Sequence, residues 1–245
     1  MADQDPATPA EPPKPVHIGG ESFVDRVLPH IRKILVGAVL IAVIATGVAA
    51  VRWFGERKHV AETEKLDRVL VVAQTPTREP GEKADPKKPG FADAKERAGA
   101  VLDAIAKQGT DAAGHAYRGG LLLDVGKVDD AIAEYRRGTA DPTIEGVLAR
   151  EGLGLALEAK AAAEKDTAAR QKLLEDALAA FAAEQPDDGG PRRAYALYHQ
   201  ARVQVLLGKR AEAKALFEKA KAANKDSDRD VAELIDRRIA ALGST

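Results

Sequence analysis

Residues 112–145 and 194–227 carry the same five anchors in one register. Gly119, Gly126, Ala131, Tyr135 and Gly138 return 82 positions later as Ala201, Gly208, Ala213, Phe217 and Ala220. The shared order is small residue, turn glycine, small residue, aromatic, small residue. Two antiparallel helices approach to about 8–10 Å only where the facing side chains are small. Gly119 with Ala131, and Ala201 with Ala213, supply that contact, and Tyr135 and Phe217 fill the gap to the next pair. Gly126 and Gly208 permit the left-handed residue that ends a helix in a short turn. The echo thus predicts stacked helix pairs. Composition points the same way: the chain is 45% apolar but only 4% aromatic, and alanine dominates. Alanine is the best helix former, whereas strands favour β-branched and aromatic residues. The expected fold is all-α.

A stretched copy lies between the two units. Gly152 follows Gly119 by 33 residues, but the matching second-helix anchors, Ala177 and Phe181, arrive about a dozen residues late. The extra residues, around Leu157 to Arg170, are nearly all good helix formers, so the insertion is expected to lengthen both helices. In the first unit the helices are predicted at about 112–125 and 128–139, in the third at about 192–207 and 210–223. Asp228 to Leu242 reads as a last amphipathic helix whose Val231, Leu234, Ile235, Ile239 and Leu242 cap the stack.

The N-terminal third is organised differently. Residues 1–20 are Pro-rich and polar, and are expected to form a disordered tail. Residues 21–33 read as a juxtamembrane segment interrupted by Pro29. Ile34 to Val51 is 18 residues without a charge. At 1.5 Å per residue this spans about 27 Å, enough for a bilayer core with Arg52 snorkelling and Trp53 and Phe54 at the interface. Residues 34–54 are therefore predicted to be a single transmembrane helix. Flanking charges do not decide its orientation: Lys14, Arg26, Arg32 and Lys33 stand on one side, and Arg52, Arg57, Lys58, Lys65 and Arg68 on the other. Residues 55–74 are expected to continue helically and 75–90 to be a Pro/Gly-rich linker, so that 55–90 is helix and linker, and 91–245 the divergent repeat-like helical domain.

Chemistry is scarce. The chain has no cysteine, which removes disulfides, thiolate metal sites, a thiol nucleophile and a lipidated anchor. Five histidines show no zinc-protease spacing, and His115 and His199 read as packing or surface residues. Gly119-Gly120 and Gly152-Leu153-Gly154 follow no strand and lack the Lys-Ser/Thr ending of a phosphate loop. Carboxylates stand at spacings that pair with Lys or Arg on solvated helix faces. Net charge is −1, with acids and bases interspersed, so no basic field for nucleic acid exists. No catalytic residue, cofactor, metal or small-molecule substrate is expected.

The anchor pattern resembles the second half of the 34-residue tetratricopeptide repeat. The resemblance rests on the turn and the second helix. The first-helix aromatics of that signature are missing: His115 and Leu197 stand for its Trp, Arg118 and Gln200 for its Leu, Leu122 and Gln204 for its Tyr. It implies a tetratricopeptide-repeat-like α-solenoid; with the apolar run before it, the expected fold is an all-α chain with one N-terminal transmembrane helix followed by that solenoid. The resemblance also implies a protein-binding groove at Ala113, Ala116, Gly120, Leu123 and Asp124 in the first unit, and at Tyr195, Tyr198, Arg202, Val205 and Leu206 in the third. Tyr195 and Tyr198 can alternatively pack on the capping helix or the middle pair. The Lys/Asn carboxylate clamp of co-chaperone repeats is absent, since Ala116 and Gly120 occupy those positions.

The order of parts, ending in V-A-E-L-I-D-R-R-I-A-A-L, is similar to the bacterial inner-membrane family of ancillary SecYEG translocon subunits, the YfgM-like proteins. Over residues 25–243 that resemblance implies a cytoplasmic N-terminus and a periplasmic repeat domain. Its implied partners are the translocon, periplasmic chaperones and exported chains. A scaffold of another envelope complex, for secretion, motility or cell division, or a cytoplasm-facing adaptor, fits the same layout.

Overall fold

A computed structural model of the chain describes residues 31–79, 81–83, 89–224 and 228–243. The expected tail 1–20 and most of the juxtamembrane segment 21–33 lie outside them. The chain divides into two units, residues 1–58 and 59–245. Every regular element among the described residues is helical. They are α1 (Ile31–Ala73), α2 (Ala94–Gln108), α3 (His115–Asp124), α4 (Val128–Gly138), α5 (Ile144–Ala163), α6 (Thr167–Glu184), α7 (Arg193–Leu206), α8 (Arg210–Asn224) and α9 (Arg229–Gly243). Thr77 and Phe91 form an isolated bridge that closes the loop between α1 and α2.

In the first unit, Val43, Ile44, Val48 and Val51 of α1 are all exposed. Among the described residues no helix is long and apolar enough to cross a membrane. Most of the apolar run 34–51 has its side chains outside that set.

In the second unit each helix packs on the next in sequence, from α2 to α9, and α3 also touches α5. Such nearest-neighbour stacking builds a core in segments. Val69 near the end of α1 shares one cluster with Val101 and Ile105 of α2 and Leu121 of α3. Tyr135, Leu157, Leu174 and Phe181 centre the second, and Leu197, Tyr198, Phe217, Val231 and Ile235 the third. The inserted residues of the middle unit extend α5 and α6 to 20 and 18 residues, against 10 and 11 in α3 and α4.

The glycines and alanines of the echo sit where helices come closest. A Cβ on Gly119 would lie 2.6 Å from the Tyr135 ring, and one on Gly152 of α5 would overlap the same ring. A Cβ on Gly154 would reach within 2.5 Å of the Phe181 ring. Gly138 abuts the Cβ atoms of Ala149 and His115, each 2.9 Å from where its own would stand. Ala131, Ala177, Ala201, Ala213 and Ala220 are fully buried.

Both turns close alike. Gly126 N–H bonds Leu123 O at 2.9 Å and Lys127 N–H bonds Leu122 O at 2.9 Å; Gly208 and Lys209 repeat this on Val205 and Gln204 at 3.0 and 2.9 Å. These are Schellman closures with the glycine at φ +83° and +76°. Nothing lies within 4 Å of a Cβ placed at either position. Gly126→Ala and Gly208→Ala are therefore expected to lower stability through backbone strain alone, by about 1 kcal/mol each. Urea unfolding midpoints check this, and unchanged midpoints would remove the strain account.

The polar residues standing where the repeat signature has leucine have a structural use. Arg118 donates to Thr110 O, and Gln200 donates to Phe181 O at 3.3 Å. Arg150, two positions before the equivalent small contact of α5, donates to Thr139 O at 2.6 Å and Glu184 O at 3.4 Å. Several of these carbonyls lie at or near helix ends, where the last turns leave acceptors unpaired. The first helix of the first repeat starts at His115 rather than near 112, where Ala112 N–H bonds Thr110 Oγ1 in a turn.

Candidate protein-binding groove

Three helices that begin successive pairs, α3, α5 and α7, contribute to a run of open clefts in the second unit. The first, about 350 Å³, is lined by Ala116 and Tyr117 of α3, Glu145, Leu148, Glu151 and Leu155 of α5, and Arg192. The second, about 530 Å³, takes Leu123, Leu155, Glu158, Arg170, Leu174, Arg202 and Leu206. The third, about 380 Å³, runs from Glu158, Arg202, Val205 and Leu206 to Arg238 and Leu242 of α9. Helix α5 serves all three, because Leu148, Glu151, Leu155 and Glu158 recur every three or four residues and so share a face. Tyr117, Leu148, Val205 and Leu206 are large apolar side chains left exposed along this run, Leu206 at 44%.

A buried charged cluster supports the first cleft. Arg192 pairs with Glu151 of α5, and its Nε lies 3.9 Å from Glu184 at the end of α6. His199 of α7 stacks on Phe181 with centroids 4.8 Å apart, its Nε2 3.4 Å from Glu151. Burial works to raise the Glu151 pKa, but contact with His199 and Arg192 outweighs it and holds the carboxyl below its ordinary value. Glu184 is fully buried, and neither carboxyl oxygen has a hydrogen-bond partner. Burial first, and the Glu151 charge second, push its pKa up to about 8. One acid is charged and the other protonated at neutral pH, a division that two adjacent carboxylates sharing one arginine require. These two glutamates correct the expectation that acids sit on solvated faces.

Beside them, Glu145 of α5 accepts the Ala116 N–H at 2.7 Å, capping α3, whose own N-cap, Gly114, has no side chain for the purpose. His115 Nδ1 lies 2.9 Å from Glu134, and His199 is buried, so both histidines serve packing contacts.

The groove residues expected from sequence divide. Ala116, Leu123, Arg202, Val205 and Leu206 line the clefts. Asp124 lines a smaller cleft between α2 and α3. Ala113 is buried in the first core cluster, and Gly120 faces the Tyr135 hydroxyl. Tyr198, expected as a groove anchor, is 5% exposed and packs on Phe217 at 5.7 Å. Tyr195 donates its hydroxyl to Asp228 at 2.7 Å and lies under Arg192. Both are drawn onto the capping side because α9 offers Val231 and Ile235, an apolar face that α7 must cover. Sequence reasoning missed Tyr117, Leu148, Leu155 and Glu158. Tyr117 stands next to the register position Ala116 on α3, and the three-or-four-residue spacing within α5 is the signal that finds Leu148, Leu155 and Glu158.

Among the described residues no three His, Asp or Glu side chains are placed to hold a metal. No protein-family model, curated protein or solved structure matches the chain.

Proposed function

We propose that this chain is a membrane-tethered, non-catalytic adaptor that holds other proteins in the groove of a tetratricopeptide-repeat-like α-solenoid. The observation that carries the reading is the exposed apolar series Tyr117, Leu148, Val205 and Leu206 beside the Arg192–Glu151 and Arg202–Glu158 pairs. Contiguous apolar surface with a polar rim marks protein-interaction sites. The tether is the uncharged run Ile34–Val51. Its side chains Val43, Ile44, Val48 and Val51 are exposed, the last at 74%, as a helix surrounded by lipid requires. Arg57 lies 3.8 Å over the Trp53 ring, an amphipathic contact suited to the membrane–water boundary.

The order of parts favours an inner-membrane protein with its N-terminus in the cytoplasm and residues 59–245 in the periplasm. There it meets the translocon and the chaperones of exported proteins. Alkaline phosphatase fused after Thr245 is expected to be active, and a silent fusion with an active cytoplasmic reporter overturns the topology. A photoreactive residue at Leu148 or Val205 is expected to give discrete adducts with export components, while one at Glu175 on exposed α6 surface does not. Adducts equal at all three positions, or none at the first two, count against a groove.

A further inference from the structure

The far end of the groove carries a charge bias that the chain as a whole lacks. Three clefts share Leu206, and together they are lined by Arg170 of α6, Arg202 of α7, Lys209 and Arg210 at the α7–α8 turn, and Arg238 of α9. Among the described residues that line them, the one carboxylate is Glu158. It is already bonded by Arg202, whose Nη2 lies 2.5 Å from its Oε2. Nearby acids are engaged elsewhere. Asp166 accepts the Ala169 N–H at 2.8 Å, Glu164 accepts two N–H groups of its own turn, and Asp236 and Glu233 pair with Lys221 and Arg237. Arg170, Arg202, Lys209 and Arg238, with Arg210 itself bonded to Leu242 O at 3.3 Å, thus stand against one satisfied carboxylate around an apolar floor of Leu123, Leu174, Leu206 and Leu242, in a chain whose net charge is −1.

We infer that this trough docks an acidic amphipathic segment of another protein, with apolar side chains on the floor and carboxylates against the arginines. The inference rests on the adaptor reading above and names the chemistry of its partner. Two features favour a peptide over an anionic membrane surface. The apolar floor is recessed between helices, where a flat bilayer does not reach. The cations come from α6, α7, the α7–α8 turn and α9, spread along the trough as successive side chains of a segment need, rather than gathered on one phosphate. Arginine suits carboxylate recognition because its planar fork takes both oxygens.

The test uses the full chain in detergent micelles and a fluorescein-labelled amphipathic peptide with leucines at helical spacing flanked by glutamates. Its anisotropy is expected to report saturable binding that weakens as salt screens the charges. Replacing the glutamates by glutamines, or making Arg170→Glu with Arg238→Glu, is expected to weaken binding about tenfold. Both arginines are exposed, so thermal melting should be unchanged, and Arg170→Gln with Arg238→Gln provides a milder pair. Equal affinity for the Glu and Gln peptides, or insensitivity to both pairs, overturns the inference. So does failure of the peptide to bind while vesicles containing phosphatidylglycerol bind through the same arginines. Adducts from Leu148, which lies outside the trough, persist if only the acidic preference is wrong and vanish if the adaptor reading itself fails.

Discussion

Glu184→Gln is expected to stabilise the helical domain at pH 8, and to do so progressively less as pH falls. The folded chain holds the Glu184 proton up to about pH 8, whereas the unfolded chain releases it near the ordinary value of 4.5. The unfolded state therefore binds fewer protons than the folded state across that window. Stability associated with this group is fully present below about 4.5 and is lost as pH rises towards 8. Glutamine resembles the protonated acid and cannot ionise, so the variant escapes the loss. The advantage over wild type should grow by about 2–4 kcal/mol between pH 4.5 and 8. Each tenfold difference in proton affinity between the two states is worth about 1.4 kcal/mol, and some relaxation around the charged acid lowers the sum. Chemical denaturation at several pH values measures it, and parallel curves for the two proteins would refute it. Glu151→Gln should act oppositely. It strips the partner from Arg192 and removes the neighbouring charge, so it should destabilise at neutral pH by about 3 kcal/mol and ease ionisation of Glu184.

Gly152→Leu is expected to be strongly destabilising, at about 3 kcal/mol or more. The Tyr135 ring stands between Gly119 of α3 and Gly152 of α5, and a Cβ on either glycine would intrude on it. Tyr135 is buried at the centre of the middle cluster, so neither ring nor helix has room to retreat. Overpacking of this kind costs about 1–3 kcal/mol for extra methylenes in a core that can shift, and a rigid contact lies at or above that range. Tyr135→Ala alone should cost about 3–5 kcal/mol through its cavity. The Gly152→Leu, Tyr135→Ala double variant should be more stable than the sum of the singles by about 1–3 kcal/mol, since the leucine fills what the ring vacates. Additive losses would mean that Gly152 and Tyr135 do not share the contact.

The groove is only partly legible in the sequence, and the same physics explains why. Position in a turn is local: a glycine with the right neighbours ends a helix whatever surrounds it, and the common offset of Gly126 and Gly208 identifies both. A groove is made by faces of different helices, and which face stays open depends on what covers the others. Tyr195 and Tyr198 belong to groove positions by register, yet α9 turns that face of α7 into core. Leu148 and Leu155 lie on α5, where the 33-residue offset from Gly119 to Gly152 carries the first-unit positions Ala116 and Leu123 onto Ala149 and Ala156; both of these are fully buried, and the open face begins one residue away.

The all-helical character, the order of the pairs, the two left-handed turns and the small-against-aromatic contacts are all written in the chain. Each is set by residues within one or two helical turns of one another, or by a repeated pattern of such residues. Other features come into being only when the helices pack. Among them are the burial of Glu151 and Glu184, the reach of Arg118, Arg150 and Gln200 to the carbonyls of neighbouring segments, and the capping of one helix by Glu145 of another. The convergence of cations from α6, α7 and α9 belongs with them. The hydrogen bonds of Arg118, Arg150, Gln200 and Glu145 join residues 8 to 34 positions apart. Burial and charge act through space, and a one-dimensional period carries no record of which side of a helix its neighbour will occupy.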